Sequence, residues 1–150
     1  MDESPRTSTA PWPMDETIGD LLRKQAKRFA DHPYFKCSGD LRTFADVDEV
    51  SERLAAGLAA LGIAKGDRVG LISDNRDEFV ESFFACAKLG AIQVPLNTFL
   101  RGEFLKYQLI DADLAVVVVD AAGFAAIEPL LPETQIQHVI ALDDVDASAV

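Results

Sequence analysis

Two carboxylates sit where an open sheet could use them for chemistry. Asp120 ends the apolar run 114–119, and Asp74 follows Arg68–Ile72. Both runs read as buried strands, and ligands of open α/β sheets bind beyond the carboxyl ends of strands. Two acids so placed could hold Mg2+ and accept a phosphoryl group. However, no adjacent acidic pair follows the first parallel strand, and no lysine follows a later one. The plainer reading has Asp120 capping a helix that begins at Ala121. Asp143, Asp144 and Asp146 lack the ligand spacing of a calcium loop and read as a solvated tail.

Other candidate groups lack partners. Ser73-Asp74-Asn75 is one short box of the penicillin-binding enzymes, but S-x-x-K and K-T-G are missing. It reads as a polar turn, with Asp74 or Asn75 capping the next helix. There is no G-x-S-x-G, and His32 and His138 are remote from each other and from any nucleophile. Cys37 and Cys86 form no C-x-x-C pair, which excludes a disulfide framework or a zinc site and leaves two reduced core or near-core thiols. Gly62, Gly66 and Gly70 read as turn and strand glycines. Neither G-x-G-x-x-G nor G-x-x-x-x-G-K-[ST] occurs, so the phosphate cradles common to such folds are absent from the sequence.

Composition narrows the field. Of 150 residues 49% are hydrophobic and 26% charged, a globular balance. Fourteen basic against twenty-five acidic residues give a net charge of −11, which disfavours nucleic acid and anionic membrane surfaces as partners. The start is acidic and rich in Pro, Ser and Thr, unlike a secretory signal. The longest apolar runs, 83–87 and 114–119, fall far short of the roughly twenty residues that span a bilayer. A cytoplasmic protein is expected.

The elements that would position these residues follow from periodicity. Residues 1–16 read as a flexible leader. Thr17 is a plausible N-cap for a helix whose apolar stripe is Ile18, Leu21, Leu22, Ala26 and Phe29. Residues 34–37 and 41–44 flank Ser38-Gly39-Asp40 as a small hairpin. A second helix is expected from about Asp46 to Leu61, with Gly62 in the left-handed conformation after it. Next come a strand at 68–72, a helix at 76–89 and a strand at 91–95. A helix at 102–110 follows, with Phe104, Leu105 and Leu109 on one side. The β-branched run 114–119 is a strand covered on both faces, as in parallel sheets. A helix at 121–131 and a strand at 138–142 complete the pattern. This order predicts an α/β fold: a partial doubly wound, mainly parallel sheet with flanking helices, preceded by a helix and a hairpin.

Residues 43–119 resemble the N-terminal portion of the AMP-forming acyl-CoA synthetases, the adenylate-forming superfamily. The matching blocks are TFADVDEVSERLAAGLAALGIAKGDRVGLISDN, EFVESFFACAKLGAIQVPLN and EFLKYQLIDADLAVVVVD. They resemble in order the family's opening aromatic-led helix, its G-x-x-x-GD-x-V turn and strand, its helix into G-A-x-x-x-P-x-N, and its E-x-x-Y-x-L helix and following strand. With 17–29 and HVIAL the resemblance extends over about 17–142, leaving 143–150 as an acidic tail or truncation point. The wording is most similar to fatty-acid and crotonobetaine/carnitine-type CoA ligases.

The resemblance implies that the parent activates a carboxylic acid with Mg2+ and ATP as an acyl-adenylate, then passes the acyl group to CoA. The family's phosphate loop, metal-side acid and mobile lysine are not within these 150 residues. The segment would be scaffold, inactive alone, partnered by the remainder of the same polypeptide, binding no cofactor tightly and prone to self-association. One binding residue carries over: Lys88, before Leu89-Gly90-Ala91, matches a basic position that approaches CoA phosphate in some relatives. An exposed lysine at a helix C-terminus is the plainer reading of it. The alternative for the whole chain is a self-contained flavodoxin-like signalling or binding module using Asp120 and Asp74.

Overall fold

A computed structural model describes residues 16–37 and 39–145. Of the leader read over 1–16, residues 1–15 lie outside the described residues, as do Ser38 of the hairpin turn and the tail beyond 145. Helix α1 (Ile18–Phe29) starts where Thr17 accepts from the Asp20 amide. Strands β1 (Pro33–Cys37) and β2 (Asp40–Thr43) pair antiparallel as the hairpin. Helix α2 (Phe44–Ala60) begins two residues before the expected start. Thr43 and Asp46 form a reciprocal capping box there, which satisfies two otherwise orphaned N–H groups.

From here the chain alternates: β3 (Arg68–Ile72), α3 (Asp77–Leu89), β4 (Ile92–Pro95), α4 (Gly102–Asp111), β5 (Val116–Val119), α5 (Ala121–Ile127) and β6 (His138–Ala141). Gly62 and Gly90 follow α2 and α3 at φ 89° and 73°, conformations costly for any side chain. The helix expected through residue 131 breaks at Ile127 into a 3-10 turn, Glu128–Glu133. Pro129 near its start and Pro132 inside it lack the amides that α-helical bonding needs.

The four strands pair in parallel in the order β4-β3-β5-β6. The chain leaves β3 in one direction and β5 in the other, so the helices fall on opposite faces. Leu71, Val69, Val116 and Val118 pack against Ala55, Leu58, Ala85 and Cys86 of α2 and α3. Ile72, Val117 and Val119 pack against Leu105, Leu109, Phe124 and Ile127 of α4 and α5. All four residues of β5 are buried, as the unbroken valine run requires. Each valine so covered contributes about 1.5–3 kcal/mol. Leu22, Val47 and Phe84 seal α1 and the hairpin onto the outside of α2 and α3.

Two apolar stripes are narrower than periodicity implies. Phe104 is exposed while Leu105 and Leu109 turn inward, and Ile18 and Leu21 are exposed while Leu22 and Ala26 are buried. Both helices lie at the periphery, where a single row of contacts covers only part of the apolar arc.

Candidate functional site: the crevice at the strand ends

The reversal between β3 and β5 makes a topological switch point, and the carboxyl ends of these strands flank it. Asp74 and Asp120 meet there. The Asp74 amide donates to Asp120 Oδ2 at 2.9 Å, and the Gly123 amide donates to Asp120 Oδ1 at 2.7 Å. Asp120 is therefore the N-cap of α5, and both of its oxygens accept a backbone N–H. The helix approaches the end of β3 so closely that a Cβ on Gly123 would stand 2.6 Å from the carbonyl oxygen of Ile72.

A third loop joins this crevice. Asp143, read from sequence as solvated tail, accepts from the Ala121 amide at 3.0 Å and from Arg76 Nη1 at 2.7 Å. These two bonds, from Arg76 first, hold its carboxyl below the usual aspartate range. Arg76 also donates to both carboxylate oxygens of Glu78. Its guanidinium is stabilised as the cation by Asp143 and then by Glu78. Arg76, and neither Asp74 nor Asn75, occupies the N-cap position of α3, and it makes no side-chain capping bond. Its side chain serves Asp143 instead. Residue spacing carried no sign of a pair separated by 67 positions.

Lys88 lies elsewhere. Its side chain is 0% exposed, with Nζ 2.7 Å from Asp48 Oδ1 and 2.9 Å from Glu52 Oε2. It also donates to the carbonyl oxygen of Asp48. The exposed lysine expected at this helix end is thus a covered tie between α3 and α2. Glu52 further receives Arg23 from α1, and Arg23 and then Lys88 keep its carboxyl below the glutamate range.

Neither cysteine is in a disulfide. Cys86 is buried and its thiol is pushed up to about 11 by desolvation. Cys37 is half-buried, with Sγ 3.6 Å from the Asn75 carbonyl. Among the described residues no group of three or more His, Cys, Asp or Glu could hold a metal, and no helix is long and apolar enough to cross a membrane. At the start of α5 the Ala121 amide already donates to Asp143 and the Gly123 amide to Asp120.

This fold recurs in known proteins. The profile of the family described as "AMP-binding enzyme" matches residues 22–150. The chain belongs to that family. It corresponds to the N-terminal portion of an AMP-forming acyl-CoA synthetase. The long-chain-fatty-acid–CoA ligase FadD13 of Mycobacterium tuberculosis is 38% identical over 117 residues, 77% of this chain and 23% of the relative. Acyl-CoA ligase sidI of Aspergillus fumigatus is 37% identical over 102 residues, 67% of this chain and 17% of the relative. A solved Rhodopseudomonas palustris protein, assigned as a long-chain-fatty-acid CoA ligase, superposes with a TM-score of 0.85 at 32% identity. That match covers 89% of this chain and 34% of the other. The chain thus spans about a fifth of the length of these curated relatives.

Proposed function

We propose that this segment is the N-terminal scaffold of an ATP-dependent acid–CoA ligase. The whole protein would use Mg2+ and ATP to form an acyl-adenylate from a carboxylic acid, and CoA to take the acyl group as a thioester. Fatty acids are the favoured substrate class, on the strength of the 38% identity to a long-chain-fatty-acid–CoA ligase. That identity, extending over 117 residues and 77% of this chain, is the observation that carries the reading.

Within this scheme the segment contributes rigidity. Asp120 and Asp143 fasten the loops leaving β3, β5 and β6 into one floor, against which the remainder of the polypeptide builds the catalytic site. Lys88 acts as a tie under α2, because any CoA phosphate reaching it competes with two carboxylates already within 2.9 Å. The 150-residue chain alone is inactive, binds none of the cofactors tightly and self-associates. The cytoplasm is its compartment, in keeping with two thiols outside any disulfide.

Grafting the segment into FadD13 in place of the matching stretch tests the proposal. A graft that forms acyl-CoA dependent on acid, ATP and CoA is expected, and a folded, inert graft refutes the assignment. Carboxylate-dependent exchange of pyrophosphate into ATP by the 150-residue chain alone would refute the scaffold role.

A further inference from the structure

Arg42 on β2 reaches across to α3. Its Nε donates to Asp77 Oδ2 at 2.7 Å and stands 3.5 Å from Glu81 Oε1. One N–H thus faces two carboxylates and is directed at only one of them. Glu81 is 4% exposed, and its Oε1 is covered without any hydrogen-bond donor. An ionised carboxylate in that position forfeits hydration that Arg42, 3.5 Å away and directed at Asp77, replaces only in part, whereas the neutral acid forfeits far less. The surrounding charges do not offset this loss. Arg42 on β2 and Arg53 on α2 favour the anion, while Glu78 and Asp77 on its own helix oppose it. Burial outweighs them and holds Glu81 above the ordinary glutamate range.

The hairpin anchored by this contact touches the crevice. Cys37 of β1 rests against the Asn75 carbonyl in the loop leaving β3. A cavity of about 430 Å3 lies between hairpin and helix, lined by Cys37, Asp40, Arg42, Arg76, Asp77 and Glu78. Arg76 is the residue that Asp143 clamps.

We propose that Arg42, Asp77 and Glu81 form a proton-linked clasp that fastens the β1–β2 hairpin to α3 while Glu81 carries a proton and loosens it when Glu81 ionises. With Glu81 neutral, Arg42 serves Asp77 alone. When the Glu81 proton passes to solvent water, the new anion competes with Asp77 for Arg42, and its covered Oε1 needs a hydrogen-bond donor that the closed hairpin does not offer. The hairpin must lift to admit one, which opens the cavity beside Arg76. Because folding favours the protonated acid, the fastening is complete below the unfolded glutamate pKa. It is lost as pH rises through the folded value.

Carbon-13 NMR of the whole chain tests the clasp, by following the Glu81 carboxyl carbon and the backbone amides of Phe35, Lys36 and Leu41 against pH. The expected result is a Glu81 midpoint above the ordinary glutamate range and a hairpin shift with the same midpoint. Glu81→Gln should abolish that hairpin step and keep the amides at their low-pH positions. A Glu81 midpoint within the ordinary range overturns the proposal, as do hairpin amides without a step at the Glu81 midpoint. Should Glu81→Gln fail to fold, the two titrations of the unsubstituted chain still decide.

Discussion

The Lys88 ammonium is fully covered and lies 2.7 Å from Asp48 Oδ1, joining the last turn of α3 to the first half of α2. Glu52, which also receives Arg23, extends the tie to α1, and a Cβ on Gly19 of α1 would meet the Lys88 backbone at 3.0 Å. Three helices therefore converge on one lysine.

Lys88→Met should lower stability by about 1–3 kcal/mol, since it removes a charged hydrogen-bond donor from two carboxylates. The loss stays below that of a fully buried pair because Asp48 and Glu52 keep access to water. Urea unfolding should show a lower midpoint at unchanged slope. In the active graft described above, the same substitution separates tie from CoA contact. A tie leaves KM for CoA unchanged, whereas a phosphate contact raises it.

Asp120→Asn retains one acceptor oxygen and turns an NH2 toward the second backbone amide. The expected cost is about 1–3 kcal/mol, read from thermal or urea unfolding. Acetyl phosphate with Mg2+ should leave the mass of the unsubstituted chain unchanged, because both Asp120 oxygens hold backbone amides. A gain of one phosphoryl group, lost in Asp120→Asn, would revive the signalling-module alternative.

Two glycines should respond in opposite directions to alanine. A Cβ at Gly123 would collide with the Ile72 carbonyl, a backbone atom at a strand end. Gly123→Ala should cost about 1–3 kcal/mol, the usual range for overpacking. Gly57 lies within α2 with nothing within 4 Å of the same position, and Gly57→Ala should add about 0.4–1 kcal/mol. Unfolding midpoints of the two variants check both signs.

The capping box of α2 gives acid sensitivity of opposite sense to the Glu81 clasp. The Thr43 amide and then the Thr43 hydroxyl hold the Asp46 carboxyl below the aspartate range. Its contribution is present above the unfolded aspartate pKa and is lost as pH falls through the folded value. Thr43→Ala should cost about 1 kcal/mol at neutral pH. Asp46→Asn should flatten the fall in stability below about pH 4.

Phe99, Phe104 and Tyr107 are 89%, 79% and 67% exposed, and the last two share a face of α4. Dye binding and concentration-dependent sedimentation are expected of the isolated chain. Phe104→Ser with Tyr107→Ser should reduce both and move stability by less than about 0.5 kcal/mol per site, as befits exposed positions. A dye-silent monomer would remove self-association from the reading.

Local order along the chain determined most of the fold. Val116–Val119 had to be a strand covered on both faces because no residue in it tolerates water. Gly62 and Gly90 had to follow helices because their backbones turn left-handed there. Thr17 and Asp120 were legible as caps, since a cap acts within three residues. The family was legible for a related reason, as its blocks are local and their order survives in the sequence.

Only tertiary structure decided which polar groups meet. Arg76 with Asp143, Arg42 with Asp77 and Glu81, and Lys88 with Asp48 span 67, 35, 39 and 40 positions, and no periodicity encodes such distances. The exposure of Phe104 was decided in the same way, by where α4 ran out of neighbours. Burial and ion pairing depend on what the rest of the fold brings alongside, so Lys88 reads as a surface cation in the sequence and becomes the covered joint of three helices in the fold.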